Sequence, residues 1–288
     1  MTRSRAALTA VVLLAGCAGG STTTDGTTPP PVKSKPGAAA PTGKSGLTYR
    51  PEPATGYRLE RHDSLTLQYP GGAVQQQVRD RIAFVHVTIG EEAGSAGYPL
   101  AIVLDSLHAL ENGQPVDSAV LARGTRWTGM LGADGSLTAF QADRGGSLSD
   151  ELTGRLRLFF PRLPPAGVRE GMEWTDSSAY KLVADAFPGT ETQVTTYHAT
   201  ENNGPGKGVM LESTGTYTRS GTRQQEDQAL EMTGTGTRRG THLISGEGSL
   251  ISAQGNDSGD MTITVPAVGQ TVPVKQTGSY SIAPAPAR

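Results

Sequence analysis

The chain contains a single thiol, that of Cys17, at the end of a short apolar segment. Arg3 and Arg5 precede this segment, which runs from Ala6 to Ala15, and Gly16 stands directly before the cysteine. A basic start, an apolar run and small residues are the layout of a secretory signal peptide. The run is too short to span a bilayer, which takes roughly twenty apolar residues. Because there is one cysteine, the chain has no internal disulfide and no multi-thiolate metal site.

The stretch Leu14-Ala15-Gly16-Cys17 resembles the lipobox of bacterial lipoproteins. This resemblance implies that the Cys17 thiol carries a diacylglyceryl group, that the chain is cut just before Cys17, and that the new N-terminus is acylated. It therefore implies a signal peptide over residues 1–16 and a lipid anchor in the cell envelope. Ala18 follows the cysteine instead of the Asp that marks inner-membrane retention, which favours the outer membrane, facing the periplasm.

The other residues that carry chemistry form no recognisable catalytic set. The five histidines occur singly, without the two-histidine helical spacing of a zinc protease. Ser178-Ala179-Tyr180-Lys181 matches the Ser-x-x-Lys motif of penicillin-binding enzymes, but its surroundings are typical of a strand and the Lys-Thr-Gly partner motif is missing. The sequence therefore predicts no catalytic residue, no metal site and no cofactor, with a hydrolase as the least favoured function.

The charge of the chain restricts its partners. The formal net charge is −2, and it becomes −4 once residues 1–16, with Arg3 and Arg5, are removed. Nucleic-acid binding needs basic patches, so this balance argues against it. It argues equally against electrostatic adhesion to anionic lipid, which leaves the lipid on Cys17 as the predicted membrane contact.

Composition divides the chain into three parts. Residues 17–46 begin with Cys17, which the lipobox resemblance implies is acylated, and continue as a stretch rich in Gly, Ser, Thr, Pro and Ala. Such a stretch cannot bury a core, which predicts a disordered linker between the anchor and the folded body. Residues 47–288 are predicted to form a single β-rich domain.

Hydrophobic periodicity predicts two long strands at the start of this domain. Apolar residues alternate with polar ones from Tyr57 to Tyr69, except that Arg61 and Asp63 fall on the apolar parity, which predicts a bulge or an exposed edge there. After a turn at Pro70-Gly71-Gly72, a second strand runs from Val74 to Ile89. Its alternation changes phase near Phe84, which indicates a β-bulge.

The remaining sequence predicts one helix and many further strands. The helix starts at Ser147 or Ser149, one of which caps it, and continues through Leu156 and Phe159. The predicted strands are Tyr98–Ala109, the hairpin Arg126–Leu131 and Ser136–Phe140, a strand from Trp174, and then Thr192–Thr200, Val209–Arg219, Gln228–Thr237, His242–Ala253, Asp260–Val265 and Val272–Ile282. Turns are expected at Asn202-Asn203-Gly204 and Gly255-Asn256-Asp257. Long, Thr-rich strands predict a mostly β fold: a large, curved, half-barrel-like antiparallel sheet with one or two covering helices.

Two resemblances concern the folded body. Leu163-Pro164-Pro165, with Val168, Gly171 and Trp174, resembles a short signature of uncharacterised bacterial envelope lipoproteins. The lipobox and the predicted curved sheet together also resemble the LolA/LolB-type lipoprotein carriers. That second resemblance implies a half-barrel whose concave apolar face holds acyl chains.

Three functions follow from these features. The first is an envelope lipoprotein that binds a lipid or another apolar molecule in the concavity of the sheet, and the second is a scaffold that docks an envelope protein through exposed strand edges. The third is the hydrolase described above. Candidate ligand-binding residues are those on the apolar parity of the strands: Leu65, Leu67, Phe84, Leu211, Met232, Met261 and Ile263. The alternative for each of these residues is a place in a packed core.

Overall fold

In the computed structural model, the described residues run from 46 to 285, apart from 51, 53, 95–96, 158, 183–186, 203–206 and 226–227. The predicted signal peptide, Cys17 and all but the last residue of the predicted linker lie outside them. Twelve strands form one antiparallel sheet, which confirms the predicted fold class. The strands are β1 Ala54–Gln68, β2 Val74–Ile89, β3 Tyr98–Glu111, β4 Gln114–Pro115, β5 Arg126–Leu131, β6 Leu137–Ala142, β7 Glu173–Leu182, β8 Gly189–Asn202, β9 Gly208–Gln225, β10 Gln228–Ser245, β11 Leu250–Val265 and β12 Gln270–Pro284.

The sheet consists of two meanders joined by its first and last strands. The spatial order is β6-β5-β3-β2-β1-β12-β11-β10-β9-β8-β7, with the short β4 beside β3. β1 pairs with β12 from Tyr57 opposite Pro284 to Leu67 opposite Val274. β6 and β7 are the two edges and do not pair with each other, so the curved sheet stays open.

Two α-helices occur among the described residues: α1, Ser118–Ala122, and α2, Ser147–Leu156. Neither is long and apolar enough to cross a membrane. Pro266–Val268 adds one turn of 3-10 helix between β11 and β12. α1 and β4 were not predicted, because five and two residues are too few for a periodic pattern to show.

The main hydrophobic core contains the buried face of α2 and residues of β2, β3 and β5, and it extends to Leu211 of β9 and Ile282 of β12. We call it the core under α2. Leu148, Leu152 and Leu156 are buried on one face of α2, as their helical spacing predicts. Trp127 of β5 is fully buried and donates a hydrogen bond from Nε1 to Thr153 Oγ1 at 2.6 Å. This bond fixes α2 over the sheet, so that one side of the helix covers the core.

Several predictions on the N-terminal meander and α2 are confirmed in detail. β2 has the predicted bounds, and its register with β3 shifts between Phe84 and Val85. The hairpin β5–β6 forms around the predicted turn. The cap of α2 differs from the prediction, since the N-cap residue is Gly146, which has no side chain to cap the helix. Ser149 instead donates a hydrogen bond from Oγ to the carbonyl oxygen of Gly146 at 2.9 Å.

The predicted bulge or exposed edge at Arg61 and Asp63 is wrong. Both residues keep regular register with β2 on one side and β12 on the other. Asp63 is buried, and both side chains line the interior of the curved sheet. Both residues therefore face inward, as the apolar residues of β1 do, and their ion pairs offset the cost of burying the charges.

The predicted turn at Gly255-Asn256-Asp257 is also wrong. These residues lie in the middle of β11, paired on one side with β10 and on the other with β12. The predicted strands 228–237 and 242–253 are divided differently as well: β10 runs unbroken to Ser245, and the turn falls at residues 246–249. Pairing on both sides outweighs the local turn preference of Gly, Asn and Asp. Of the turn predicted at residues 202–204, only Asn202 is described, as the last residue of β8.

Candidate functional site

A cavity of about 1470 Å³ lies inside the curve of the sheet. Its walls are β1, β2 and β7 to β12, and residues Asp150–Arg155 of α2 cover part of it. Pockets for small molecules usually measure about 300–1,000 Å³, so this cavity is large enough for a bulky or elongated ligand.

One part of the cavity is apolar, and we call it the apolar segment. It consists of the second hydrophobic cluster of the protein, which is separate from the core under α2. Its members are Leu65, Leu67, Phe187, Leu230, Met232, Met261, Ile263 and Val274. All of them line the cavity, and half of them are only partly buried, so the segment presents apolar surface to the open space.

Five of the seven candidate ligand-binding residues lie in this segment. They are Leu65, Leu67, Met232, Met261 and Ile263. The other two candidates do not line the cavity. Leu211 is fully buried in the core under α2. Phe84 points to the opposite side of β2 from its neighbour Ala83, which does line the cavity.

A charged belt separates the apolar segment from the core under α2. It is formed by Arg61 and Asp63 of β1, Glu191 of β8, Arg219 of β9, Arg238 of β10 and Asp257 of β11. Arg61 lies between two carboxylates, with its Nε 2.7 Å from Asp63 Oδ1 and its Nη1 2.6 Å from Asp257 Oδ1. Burial alone would lower the pKa of Arg61, but the hydrogen bonds to these carboxylates raise it, so the guanidinium stays charged.

α2 contacts the belt through charged side chains. Arg155 Nη2 lies 3.3 Å from Asp63 Oδ2 and 2.5 Å from Glu151 Oε1 on its own helix. Glu151 Oε1 is in turn 3.6 Å from Nε of Arg81 on β2. Ion pairs therefore connect α2 to β1 and β2, and the hydrogen bond from Trp127 connects it to the core.

The second half of the belt groups two arginines around one carboxylate. Glu191 Oε1 is 2.7 Å from Arg238 Nη1, and Glu191 Oε2 is 3.3 Å from Arg219 Nε. Arg238 also bonds to Gln193 Oε1 and lies over the Tyr217 ring, 4.6 Å from its centroid. The stacking and the shared carboxylate hold the planar guanidinium of Arg238 in a fixed orientation.

Glycines of the sheet lie directly beneath the rings of Tyr217 and Tyr280. A Cβ at Gly255 would lie 2.6 Å from Tyr280 Cε1, and a Cβ at Gly240 would lie 2.6 Å from the Tyr280 hydroxyl. Tyr217 lies in the same way over Gly236 and Gly259. These glycines occur where a large side chain lies flat on the sheet, which explains why Gly is found inside strands that it would otherwise weaken.

Two buried titratable groups line the cavity beside the belt. Burial lowers the pKa of His242 to about 4, so its imidazole is neutral near pH 7. Burial raises the pKa of the Asp176 carboxyl, an effect that the nearby Arg162 opposes. Among the described residues, no group of three or more His, Cys, Asp or Glu side chains is placed to hold a metal ion.

The charged belt is the part of the site that the sequence did not indicate. Its signal was present at Arg61 and Asp63, whose charges stand on the apolar parity of β1 and thus face inward. A charged residue on the buried face of a strand requires a partner. Asp257, which pairs with Arg61, was assigned to a turn instead of a strand. Its side chain was therefore not expected to face the interior, and the pairing was not predicted.

The short signature from Leu163 to Trp174 has a structural role next to the cavity. Trp174 donates from Nε1 to the carbonyl oxygen of Arg162 at 2.9 Å and stacks on the Tyr197 ring at a centroid distance of 5.2 Å. Leu163 and Val168 are buried in the core. The signature therefore fixes the connection from α2 to β7.

No family model matches this chain, and no curated protein matches it. Two solved structures show a weak likeness. DynF from the dynemicin biosynthesis pathway of Micromonospora chersina is 9% identical, with a TM-score of 0.25 over 88% of this chain and 92% of that one. Neisserial surface protein A is 8% identical, with a TM-score of 0.23 over 81% of this chain and 99% of that one. At these TM-scores the likeness supports no argument about fold or function.

Fold and site together define a structural class. The protein is a mostly β protein built on one open, curved antiparallel sheet, whose interior contains a large cavity with an apolar segment and a charged belt.

Proposed function

We propose that this protein binds an apolar or amphiphilic molecule, such as a lipid, in the cavity of its curved sheet, and that a lipid on Cys17 anchors it in the cell envelope. The observation that carries the binding proposal is the cavity of about 1470 Å³ with an apolar segment on its wall. A ligand that covers the segment removes apolar surface from water, and each Å² so buried contributes roughly 25 cal/mol to the free energy of binding.

The arrangement of the apolar residues supports binding over simple packing. The core under α2 already contains the fully buried side chains of Trp127, Ile102 and Leu156. The apolar segment is a separate cluster, with Leu65 and Ile263 only partly buried. A contiguous apolar lining beside open space is typical of a ligand site.

The scaffold hypothesis expects a packed interior and a protein partner at a strand edge. The large cavity favours the binding hypothesis over it, because a scaffold has no need for lined interior space. Recovery of one envelope protein by cross-linking in cells, together with an interior that takes up no lipid, would reverse this preference.

The anchor rests on the lipobox resemblance at Leu14-Ala15-Gly16-Cys17. Mass spectrometry of the protein purified from cells is expected to show an acylated Cys17 at the N-terminus. A Cys17→Ser chain is expected to lose the acyl groups and to remain unprocessed or to be released. If the Cys17→Ser chain still partitions wholly with detergent-solubilised membranes, the anchor proposal is wrong.

Ligand binding can be tested with the same Cys17→Ser chain, purified without detergent. Extraction with organic solvent is expected to release a lipid in stoichiometric amount, and an environment-sensitive fluorescent fatty acid is expected to bind to the emptied protein. Met232→Trp places a large side chain in the apolar segment, whereas Thr233→Trp places the same side chain on the exposed face of β10.

We expect Met232→Trp to weaken binding of the fluorescent lipid and Thr233→Trp to leave it unchanged. Circular dichroism and the melting temperature show that both variants are folded. Absence of extractable lipid together with absence of fluorescent-lipid binding in the parent Cys17→Ser chain would overturn the proposed function.

A further inference from the structure

We infer that the ligand of this cavity is an acyl-chain amphiphile with an anionic oxygen headgroup, a carboxylate or a phosphate, which Arg219, Arg223 and Arg238 bind. The inference rests on the proposed function and adds the chemical class of the ligand to it. It assigns the headgroup to the wall built by β8, β9 and β10, and the acyl chain to the apolar segment.

The described residues of the wall formed by β8, β9 and β10 include more arginines than carboxylates in the cavity lining. Arg219, Arg223 and Arg238 all line the cavity from this wall. Among the described residues of these three strands, the cavity lining contains one carboxylate, that of Glu191, and two of the arginines share it. Among the described residues, the three arginines therefore outnumber the carboxylates of this wall by two, which favours an anionic group over a cationic one.

The charge of the whole lining points the same way. Among the described residues that line the cavity, lysines and arginines number eleven, and aspartates and glutamates number seven. The chain as a whole has a formal charge of −2, so the described part of the lining is positive in a chain that is negative overall. In contrast to the β8–β10 wall, Arg61 lies between two carboxylates and needs no further anion.

The sheet register places this charge directly beside the apolar segment. Arg223 is paired with Leu230, a member of the segment. Arg219 lies in one row with Gly234, Met261, Val274 and Leu67, which belong to successive strands from β10 to β1. Because neighbouring strands are about 4.8 Å apart, Arg219 and Met261 are separated by roughly 10 Å. One bound molecule can thus contact the arginines with its headgroup and the segment with its chain.

Arginine suits this headgroup for a geometric reason. Its planar guanidinium donates two parallel hydrogen bonds to a carboxylate or a phosphate, and such charge-assisted bonds are about twice as strong as neutral ones. The stacking of Arg238 on Tyr217 and its contact with Glu191 orient its fork before a ligand arrives. A cationic headgroup at this wall would face like charge.

The test uses the Cys17→Ser chain, freed of lipid, and four amphiphiles that share one acyl chain: hexadecanoate, hexadecyl phosphate, hexadecanol and hexadecyltrimethylammonium. Their dissociation constants are measured by displacement of a neutral fluorescent probe below the critical micelle concentration. Acetate and inorganic phosphate serve as headgroups without a chain. We expect hexadecanoate and hexadecyl phosphate to bind tightest, and the two chain-free anions to displace nothing.

Variants then assign the headgroup to the wall. Arg223→Gln is expected to weaken hexadecanoate binding by about ten- to a hundredfold, the loss of one hydrogen bond to a charged group, and to leave hexadecanol unchanged. Arg223→Lys keeps the charge but loses the planar fork, so it should weaken hexadecanoate binding less than Arg223→Gln does. Arg123→Gln, on an exposed residue outside the cavity lining, is the matched control.

The outcomes separate this inference from the proposed function. If hexadecanol or the ammonium binds as tightly as hexadecanoate, or if Arg223→Gln does not distinguish hexadecanoate from hexadecanol, the headgroup inference fails while lipid binding stands. If none of the four amphiphiles binds, the proposed function itself fails. Since the four-amphiphile comparison uses no Arg variant, it remains decisive even if an Arg223 variant does not fold.

Discussion

Arg61 of β1 and Asp257 of β11 form an ion pair, 2.6 Å between Nη1 and Oδ1, although β12 lies between their strands. The guanidinium passes over Gly278 of β12, where a Cβ would collide with it. Three strands are thus linked by one side chain above a glycine. Both side chains line the cavity at the junction of the two meanders.

The first prediction concerns this crossing. Gly278→Ala introduces a methyl group into the space that Arg61 occupies, and we expect it to lower the free energy of unfolding by about 1–3 kcal/mol, as other overpacking substitutions do. Gly154→Ala, in α2 with open space around it, is the control and should raise the free energy of unfolding by about 0.5–1 kcal/mol. Urea denaturation measures both, and equal effects of the two variants would contradict the crossing.

The second prediction removes a charge from the belt. Asp257→Asn leaves Arg61 with Asp63 alone and breaks a buried hydrogen bond between charged groups, so we expect the free energy of unfolding to fall by about 1.5–3 kcal/mol. Asp260→Asn changes an exposed carboxylate on the opposite face of β11 and should stay within about 0.5 kcal/mol. An Asp257→Asn protein as stable as the parent would show that the pair contributes nothing.

The third prediction concerns the pH dependence of stability through His242. Burial lowers its folded-state pKa to about 4 from an ordinary value of 6.5, so between these two values the unfolded chain binds more protons. Stability due to this residue is therefore fully present above pH 6.5 and is lost as the pH falls toward 4, by at most about 3 kcal/mol. His242→Leu should remove this part of the pH dependence, and His108→Gln, on an exposed histidine, should retain it. Denaturant unfolding at a series of pH values measures the difference, and identical slopes for parent and His242→Leu would refute it.

The fourth prediction concerns the bond that holds α2. Thr153→Val leaves the buried Trp127 Nε1–H without its acceptor, which should lower the free energy of unfolding by about 1–3 kcal/mol and increase hydrogen exchange in residues 147–156. Thr128→Val, on the exposed face of β5, is the matched control. Unchanged exchange in α2 would show that the helix is held by its leucines and ion pairs instead.

β1 was predicted correctly from its sequence, whereas a turn was wrongly predicted in the middle of β11, and comparison of the two strands shows why. In β1, the alternation of apolar and polar residues from Tyr57 to Tyr69, interrupted only at Arg61 and Asp63, indicates a strand, because side chains of a strand point alternately to its two faces. In β11, the turn-forming residues Gly255, Asn256 and Asp257 interrupt the pattern. The two neighbouring strands keep β11 extended there, and no local signal reveals those neighbours.

The same difference separates the apolar segment from the charged belt. Parity along single strands identified Leu65, Leu67, Met232, Met261 and Ile263, and all five line the cavity. It also selected Leu211 and Phe84, which do not line the cavity. Leu211 belongs to the core, and Phe84 lies at the bulge of β2, on the opposite side of the strand from Ala83. Parity shows which face a residue occupies, but burial in a core and exposure to a cavity give the same pattern.

By itself the sequence determined the mostly β architecture, the N-terminal strands, the bulge of β2 and the helix α2, because these depend on local periodicity and composition. Only the tertiary structure decided that β1 pairs with β12, that Arg61 meets Asp257 across a glycine, and that Arg219 and Arg223 line one wall beside the apolar segment. Those relationships join residues up to 227 positions apart, as Tyr57 and Pro284 are. They arise from strand order and register, which local patterns do not specify.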